Sequence, residues 1–537
     1  MIIKHYKYLK ILFLSLYLIF GSYNAVKVGI SHDEYHEQKN WEYNVEIFKK
    51  TFLNQIPNEN LNDYKDKYYG VGFQLISQPI QFLIKDLVKN INQSGTISVD
   101  DYGAQLISKH FIVFLFFFIS GILFYLILKK IIDNEIFLSI SSLVYLLYPY
   151  LFGHALFNPK DIPFLTCWML CSYLSLKILE KYLIKTEVSF FHVFIVALST
   201  AYLISIRVSG ILIFLQYFLS FLILFNIKDK NLNLINFENF KKFILFLIST
   251  ILLIYILFPY IWQNPLYFID TIKHFGKFYH DVCTLTFGTC LEAKSPDPLY
   301  IPMWLSAKLP LLIIIGLFLI PFVEKQLFND KKISLYFGTF LGTAICIPLF
   351  LILTKAHLFD EIRHIQFLIP IFFIISLVAF FTFSKKFFYI LSVLTAFIFS
   401  MELNWMHPYQ YTWFNMPSRF FEISKNFETE YWGLSGQNLA ANANLHLEIW
   451  DDTPDKPKCL LASPLWGVKP FLANSKFKCF GPWSLIDSDY QRPFYAIQNV
   501  RNLKKGIPYK CETIASSRYS YFFDNEEIVA GRVLLCK

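Results

Sequence analysis

An acidic pair, Asp33-Glu34, follows the first long apolar block of the chain, with His32 and His36 on either side. A charge at the edge of a membrane is costly unless it is solvated or functional. A carboxylate held there is suited to act as a general base toward an acceptor hydroxyl, or to bind a cation. A plain solvated loop is the competing interpretation, and it is the usual one for an arbitrary acidic pair.

A second cluster opens a later apolar block with Asn158-Pro159-Lys160-Asp161, and His154 lies shortly before it. Pro163 suits the first turn of a helix that starts here. Aspartate at such a position commonly serves only to cap the helix. Because capping does not exclude catalysis, Asp161 is a second candidate carboxylate, and Lys160 lies beside it at the membrane boundary.

Two further clusters each contain an arginine, in Arg207-Val208-Ser209-Gly210 and in Asp360-Glu361-Ile362-Arg363-His364. A single arginine at a membrane boundary can be an anchor whose charged head reaches the water. The guanidinium fork also matches phosphate oxygens, so two arginines facing two acidic clusters indicate a site for an anionic lipid headgroup. Carboxylates with phosphate-binding arginines are what transfer from a lipid-phosphate donor requires.

Membrane-spanning helices must position these clusters. Hydrophobic residues make up 55% of the 537 positions and charged residues only 17%, which leaves too little polar surface for a soluble fold. About eleven apolar blocks are long enough to cross a bilayer. They cover residues 11–29, 110–128, 136–153, 162–180, 190–206, 210–227, 243–262, 309–324, 334–353, 365–384 and 387–403. The sequence therefore predicts a mainly α, polytopic transmembrane helical bundle.

Loop charges set the predicted orientation. Lys4, Lys7 and Lys10 precede the first apolar block. The segments that follow the second, fourth and each further even-numbered block are basic as well. This alternation places the N-terminus in the cytoplasm, with an uncleaved signal anchor rather than a cleaved secretory signal. The net charge of +9 lies in these short loops and does not indicate a nucleic-acid partner. Residues 71–88 are predicted to form an amphipathic interfacial or re-entrant helix, because an extra span there would invert every later loop.

The orientation divides the chain into two predicted domains. The transmembrane domain covers residues 1–403 and includes a large first external loop at 30–109. Residues 404–537 are more polar and end in alternating segments, which favours a small extracytoplasmic domain of α/β or β character.

The cysteines agree with this orientation. Six of them fall outside the predicted spans: Cys283, Cys290, Cys459, Cys479, Cys511 and Cys536. An even number in an oxidising compartment indicates disulfides. Cys283 and Cys290 are the best local pair, whereas the four tail cysteines allow three pairings between which the sequence does not choose. A metal site is the rival interpretation, but no CxxC spacing among these cysteines supports it.

The order of these motifs resembles that of the GT-C glycosyltransferases, specifically the bacterial membrane enzymes of the protein O-mannosyltransferase and aminoarabinose transferase-like group (glycosyltransferase family 39 type). The resemblance covers most of the chain and rests on the four clusters and on several later motifs. These are Phe367-Leu368-Ile369-Pro370, His407-Pro408-Tyr409-Gln410-Tyr411, Phe414-Asn415, Phe427-Glu428 and Tyr431-Trp432-Gly433-Leu434-Ser435.

The resemblance implies a polyprenyl-phosphate-linked sugar donor, inversion at the anomeric carbon, and a site on the periplasmic face of a bacterial inner membrane. The acceptor is a glycan, a lipid or a protein. The resemblance fixes no cofactor, and histidines beside the acidic pairs could ligate a divalent metal ion. The implied site residues are Asp33, with Glu34 beside it, and Asp161 for catalysis, Arg363, Arg207 and Lys160 for the donor phosphate, and His32, His154 and His364 for substrate binding.

Two other functions compete with glycosyl transfer. A transporter or flippase of lipid-linked sugars would also use many spans and boundary charges, but it should place ionisable residues near the bilayer midplane and show repeat symmetry. A non-catalytic membrane scaffold or assembly factor would need no carboxylate base. Replacement of Asp33 by Asn separates the scaffold from an enzyme.

Overall fold

A computed structural model describes residues 2–537 except 57–63, 95–96, 229–235, 278–281, 295, 450–457, 487–491, 504–505 and 525. In this part of the chain, helices dominate. The N-terminal half contains α1 (Ile2–Ala25), α2 (His32–Leu53), α3 (Gly72–Ile91), α4 (Asp101–Ile131), α5 (Glu135–Leu146), α6 (Pro149–Ala155), α7 (Asp161–Leu183), α8 (Phe190–Ile206), α9 (Ile213–Ile227), α10 (Phe237–Leu257) and α11 (Tyr267–Lys277). A hairpin of β1 (Cys283–Thr286) and β2 (Thr289–Glu292) follows.

The second half continues with further long helices and then with short ones. They are α12 (Tyr300–Lys308), α13 (Leu311–Leu327), α14 (Lys331–Leu353), α15 (Ile369–Phe383), α16 (Lys385–Trp405), α17 (Met416–Arg419), α18 (Ile423–Asn426), α19 (Gly436–Ile449) and α20 (Val500–Leu503). The strands after α19 are β3 (Cys459–Ala462), β4 (Cys479–Pro482), β5 (Phe494–Asn499), β6 (Cys511–Tyr519) and β7 (Ile528–Cys536).

Seven helical segments of the described residues are long and apolar enough to cross a membrane. They are Asp101–Ile131, Asp161–Leu183, Val208–Ile227, Phe237–Leu257, Lys331–Leu353, Arg363–Phe383 and Lys385–Trp405. Two bent pairs, α5 with α6 and α12 with α13, raise the number to nine if each pair is one span. Two shorter apolar helices, Lys10–Ala25 and Phe190–Ile206, lie where the sequence predicts further spans. The chain is therefore a multi-pass membrane protein by the length and composition of its helices.

Helix α4 lies at the centre of the bundle and packs against α1, α3, α5 and α7. The burial pattern of its partner α3 is the reverse of that of a surface helix in a soluble protein. Gln81 of α3 is 0% exposed, whereas Leu83 on its other side is 82% exposed. Phe82 and Leu87 are exposed as well. A helix that buries polar side chains and presents apolar ones outward suits the membrane surface, as predicted for residues 71–88.

The C-terminal region contains a five-stranded sheet in the order β4-β3-β5-β7-β6, with α19 packed against β5, β6 and β7. Strand β3 runs parallel to β4 and β5, and β7 runs antiparallel to β5 and β6. The sheet region is thus of the α/β kind. The segment between α16 and α19 packs differently, because Tyr411, Phe414 and Trp432 are buried in the core of the helical bundle.

Three disulfides connect the external cysteines. The expected bridge Cys283–Cys290 joins β1 to β2. In the sheet region, Cys459 pairs with Cys479 and Cys511 with Cys536, which is one of the three pairings that the sequence leaves open. Each tail bridge joins two neighbouring strands of the sheet. The cysteines inside predicted spans, Cys167, Cys171 and Cys346, are free thiols.

Candidate functional site

Asp33 lies in the first turn of α2, where the N-terminal end of a helix favours a negative charge. Its Oδ2 accepts a hydrogen bond from Nη2 of Arg363 at 2.6 Å. Burial raises the pKa of Asp33, but the charges of Arg363, His32 and Lys160 outweigh burial and hold this pKa well below its usual value. With 27% of its side chain exposed, Asp33 is a carboxylate at the edge of the buried cluster.

Arg363 occupies the centre of the site. Its guanidinium lies 3.4 Å from Oδ2 of Asp360 through Nη1 and 3.5 Å from Oδ2 of Asp161 through Nε. The flat face of the guanidinium covers the ring of Trp432 at 4.2 Å, a stacking geometry that arginine favours. Arg363 thus contacts Asp33, Asp161 and Asp360 at the start of the segment Arg363–Phe383.

Asp161 begins α7, but its side chain does not cap the helix. Instead, the amide of Asp161 donates to Oδ1 of Asn158 at 2.9 Å, so Asn158 takes over this role. The carboxylate of Asp161 is thereby available to pair with Arg207, which lies at the C-terminal end of α8. Nδ2 of Asn158 donates to the same carboxylate at 2.9 Å. The predicted carboxylates Asp33 and Asp161 therefore meet around Arg363.

Lys160 contacts a carboxylate that the sequence analysis did not propose as a site residue. Its Nζ forms an ion pair with Oε1 of Glu37, one helical turn after Asp33 on α2. The other oxygen of Glu37 accepts from Nε2 of Gln74 at 2.8 Å. Nζ of Lys160 also lies 3.7 Å from the ring of Tyr69. The i, i+4 spacing of Asp33 and Glu37 was the signal that could have placed both on one face of α2.

Glu34 points away from this cluster. Its Oε2 accepts from the amide of Ser31 at 2.6 Å, and its Oε1 lies 2.7 Å from Nε2 of His110 on α4. Both Glu34 and His110 are fully buried. The structure therefore separates the acidic pair, with Asp33 in the cluster and Glu34 fixing the start of α2 to the bundle.

The predicted histidines lie in and beside the cluster. Nδ1 of His364 lies 3.1 Å from Nη2 of Arg207, and Nδ1 of His154 lies 3.0 Å from Nδ2 of Asn158. His32 lies at the outer edge, with its ring 5.3 Å from that of Trp466. Burial lowers the pKa of His32, although Asp33 raises it in part, so the neutral ring is favoured near neutral pH.

The turn before Arg363 has an unusual backbone. Asp360 and Glu361 are consecutive non-glycine residues with positive φ angles of 55° and 65°. Such conformations cost about 1–3 kcal/mol each and persist where surrounding contacts impose them, often at functional sites. Nζ of Lys308 lies 3.0 Å from Oε1 of Glu361, and both side chains are fully buried. Asp360 also pairs with Arg501 of α20.

Near Arg363, several fully buried polar atoms have no hydrogen-bond partner among the described residues. Ring contacts connect four of the six side chains: Tyr150 to His154 at 4.6 Å, His154 to Trp432 at 6.0 Å, and Trp432 to Tyr431 at 5.4 Å. Each unpaired buried group costs about 1–3 kcal/mol, so a patch of them suits a hydroxyl-bearing ligand or ordered water. The unpaired atoms are Oη of Tyr150 and Tyr431, Nε2 of His154 and His364, Nε1 of Trp432 and Oε2 of Glu361.

Burial raises the pKa of Glu361, although Lys308 opposes this shift. When the carboxyl group is protonated, its unpaired Oε2 can donate a hydrogen bond. The patch therefore offers both donors and acceptors. That mixture is what a ligand with several hydroxyl groups requires.

The cluster does not fit the divalent metal ion that the histidines allowed. Among the described residues, no group of three or more His, Cys, Asp or Glu side chains is arranged to hold a metal. Asp33, Asp161 and Asp360 are each paired with arginine, whose charge repels a cation. The geometry instead suits an anion bound by guanidinium groups.

No family model matches the chain, and no curated protein matches it either. The chemistry of the site therefore rests on its geometry. Within one buried cluster, that geometry combines an ionised carboxylate, arginines suited to phosphate, and unpaired groups suited to hydroxyls. Arg501 had no signal in the sequence, because only the folded sheet region brings it to Asp360.

Proposed function

We propose that the chain is a membrane glycosyltransferase of the GT-C type that moves a hexose-type sugar from a polyprenyl-phosphate carrier to an acceptor, with inversion. The observation that carries this proposal is the contact of Asp33 and Asp161 with the same guanidinium, that of Arg363. A base and a phosphate ligand that meet in this way can act on the two ends of one displacement once the donor has entered between them. The acceptor is a glycan, a lipid or a protein.

The displacement needs little covalent chemistry from the protein. The acceptor oxygen forms a bond to the anomeric carbon as the bond from that carbon to the phosphate oxygen breaks. Asp33 takes the proton of the acceptor hydroxyl, and the bonding electron pair leaves on the phosphate, whose charge Arg363 and Arg207 stabilise. Attack opposite to the leaving phosphate inverts the anomeric carbon.

Arg363 couples phosphate binding to the basicity of Asp33. In the structure, the guanidinium lies against the Asp33 carboxylate and holds its pKa low, which makes a poor proton acceptor. A phosphate that binds Arg363 would share this positive charge. The pKa of Asp33 would then rise toward the value that a general base needs. The carboxylate would thus become effective only when the donor is in place.

The placement of the site supports an enzyme over a transporter. Asp33, Asp161, Arg207 and Arg363 come from helix ends or from the loops next to them, not from the middle of a span. With about eleven spans, these ends all lie on the side that also carries the disulfides, which form in oxidising compartments such as the periplasm. A carrier that alternates between two faces would need polar groups near the bilayer midplane.

A comparison of extracytoplasmic glycans by mass spectrometry, from cells with and without this chain, tests the proposal. We expect one hexose-type unit to be missing without the chain and to return with the wild type but not with Asp33→Asn. Asp101→Asn is the matched control, because Asp101 lies in the same external region with an exposed carboxylate paired to Lys89. Identical glycans in all strains, with normal protein levels, would exclude glycosyl transfer.

A further inference from the structure

Asp360 lies between two guanidinium groups that come from different parts of the fold. Nη1 of Arg363, at the start of a membrane segment, is 3.4 Å from Oδ2 of Asp360. Nη2 of Arg501 donates to the other oxygen, Oδ1. Arg501 belongs to α20, directly after β5 of the C-terminal sheet. One carboxylate therefore links the sheet region to the central arginine of the site.

The exposure of the three arginines differs in a way that bears on ligand binding. The side chain of Arg501 is 33% exposed, compared with 15% for Arg207 and 8% for Arg363. A guanidinium group carries five N–H donors, more than one carboxylate can use. Arg501 is thus the arginine of this cluster that a ligand arriving from outside can reach most easily.

Arg501 also balances the negative charge of the carboxylates in the cluster. Asp33, Asp161 and Asp360 face Arg207, Arg363 and Arg501. Without Arg501, the carboxylates outnumber the guanidinium groups, and a phosphate would add further negative charge beside a carboxylate that must stay ionised. Like charges at this distance repel strongly in a buried site. A third cation reduces that repulsion.

The sheet region also contacts the helical bundle independently of Arg501. Nε1 of Trp466, from the same region, donates to the carbonyl oxygen of His32 at 3.1 Å. The ring of Trp466 stacks on Tyr35 at 4.9 Å. This aromatic contact fixes the sheet region against the start of α2, next to Asp33. The charge of Arg501 is therefore available for a function other than attachment.

We propose that Arg501 is a third phosphate ligand of the site, and that Asp360 occupies Arg363 and Arg501 until a phosphate-bearing group displaces it. This inference rests on the proposed function. The phosphate belongs either to the lipid carrier of the donor or to a phosphorylated acceptor. Both sources present the same oxygens to the guanidinium fork.

Binding measurements on the detergent-purified full-length protein test the inference without any turnover. One arm uses a long-chain polyprenyl phosphate, with the matching polyprenol as the phosphate-free control. The second arm uses a dialkylglycerol phosphate, which carries a phosphate on a different lipid. The variants are Arg501→Ala and Asp360→Asn. Arg518→Ala is the matched control, because Arg518 lies in the same region and forms an exposed pair with Glu527.

We expect Arg501→Ala to weaken phosphate binding roughly tenfold or more, as the loss of a charge-assisted contact does. Asp360→Asn should bind phosphate as tightly as the wild type or more tightly, because the competing carboxylate is gone. Arg518→Ala and binding of the polyprenol should not change. A loss confined to the first arm assigns the phosphate to the carrier, and a loss in the second arm assigns it to a phosphorylated acceptor.

Unchanged binding of Arg501→Ala in both arms would overturn the inference. An equal loss in Arg501→Ala and Asp360→Asn would also overturn it, because it would show that the pair only attaches the sheet region. Circular dichroism and thermal melting of each variant check that the fold is intact, and Arg501→Lys, which keeps the charge, should bind better than Arg501→Ala. If cells lacking the chain had normal glycans, glycosyl transfer would be excluded while the binding result would still stand.

Discussion

Nη2 of Arg363 lies 2.6 Å from Oδ2 of Asp33, although 330 positions separate the two residues in the chain. The contact joins the first turn of α2 to the segment Arg363–Phe383. In the proposed reaction, the two side chains act on opposite ends of the same displacement. Several consequences of their contact can be measured.

The pH dependence of kcat/KM should report this contact, because that ratio reflects ionisations of the free enzyme. Arg363 holds the pKa of Asp33 below its usual value, so activity should persist well into the acid range. In Arg363→Gln the pKa of Asp33 rises, and the acid limb of the profile should move to higher pH. Arg363→Lys, which keeps the charge, should shift the limb less. Superimposable acid limbs in all three proteins would contradict a role of Asp33 as base.

Substitution of Asp33 should mainly reduce the reaction rate, whereas substitution of Glu34 should mainly reduce the stability of the fold. We expect Asp33→Asn to reduce kcat by about 10²–10⁴, the usual contribution of a general base, in a protein that still folds, because Asp161 and Asp360 continue to pair with Arg363. Glu34→Ala leaves the amide of Ser31 and Nε2 of His110 unpaired in a buried site, which should cost about 1–3 kcal/mol of stability. Thermal unfolding and initial rates, measured on the same preparations, separate the two effects. A stable but inactive Glu34 variant would place Glu34 in the chemistry.

Gly70 sets the position of Arg207 through close backbone packing. A Cβ atom at Gly70 would lie 2.0 Å from the carbonyl oxygen of Ser205, shortly before Arg207. Gly70→Ala must therefore move either the end of α8 or the segment around Gly70, and we expect a higher KM for the donor with normal expression. Gly342→Ala is the control, because its Cβ would lie 3.6 Å from Leu219, an ordinary contact. Equal KM values in both variants would show that Arg207 does not depend on this packing.

The disulfides should differ in their contribution to stability. Cys459–Cys479 and Cys511–Cys536 close segments of 20 and 25 residues, whereas Cys283–Cys290 closes one of 7. Removing a tail bridge by paired alanine substitution should cost about 2–4 kcal/mol, and removing the hairpin bridge less, because longer loops lose more entropy when they are closed. Thermal unfolding of the three purified variants measures this order. Equal loss of stability in all three variants would contradict it.

The sequence led to much of the site because topology alone brings the ends of the apolar blocks to one side. Asp33, Asp161, Arg207 and Arg363 could be grouped in this way without knowledge of any side-chain contact. The rotation of α2, which turns Glu34 toward His110 and Asp33 toward Arg363, depends on how α2 packs against the bundle. The sequence pattern does not predict that packing.

The sequence also did not predict the bends in the membrane spans. The predicted blocks 136–153 and 309–324 fall in two bent helix pairs, of which α12 and α13 meet at 117°. Pro149 and Pro310, at the start of the second helix of each pair, are compatible with such a break, but proline alone does not give the angle. The pairing of Cys511 with Cys536 likewise follows from the register of β6 and β7, which sequence spacing does not reveal.

The outward apolar side of α3 makes the bilayer a structural partner of the first external loop. Phe82, Leu83 and Leu87 are mostly exposed in the part of the chain that the structure describes, and lipid chains suit them as cover. The depth at which this loop rests is then a property of the lipid as much as of the chain. A small, strongly curved detergent micelle offers a different support from a flat bilayer, and the rate measured after extraction should change when lipids of another thickness are restored.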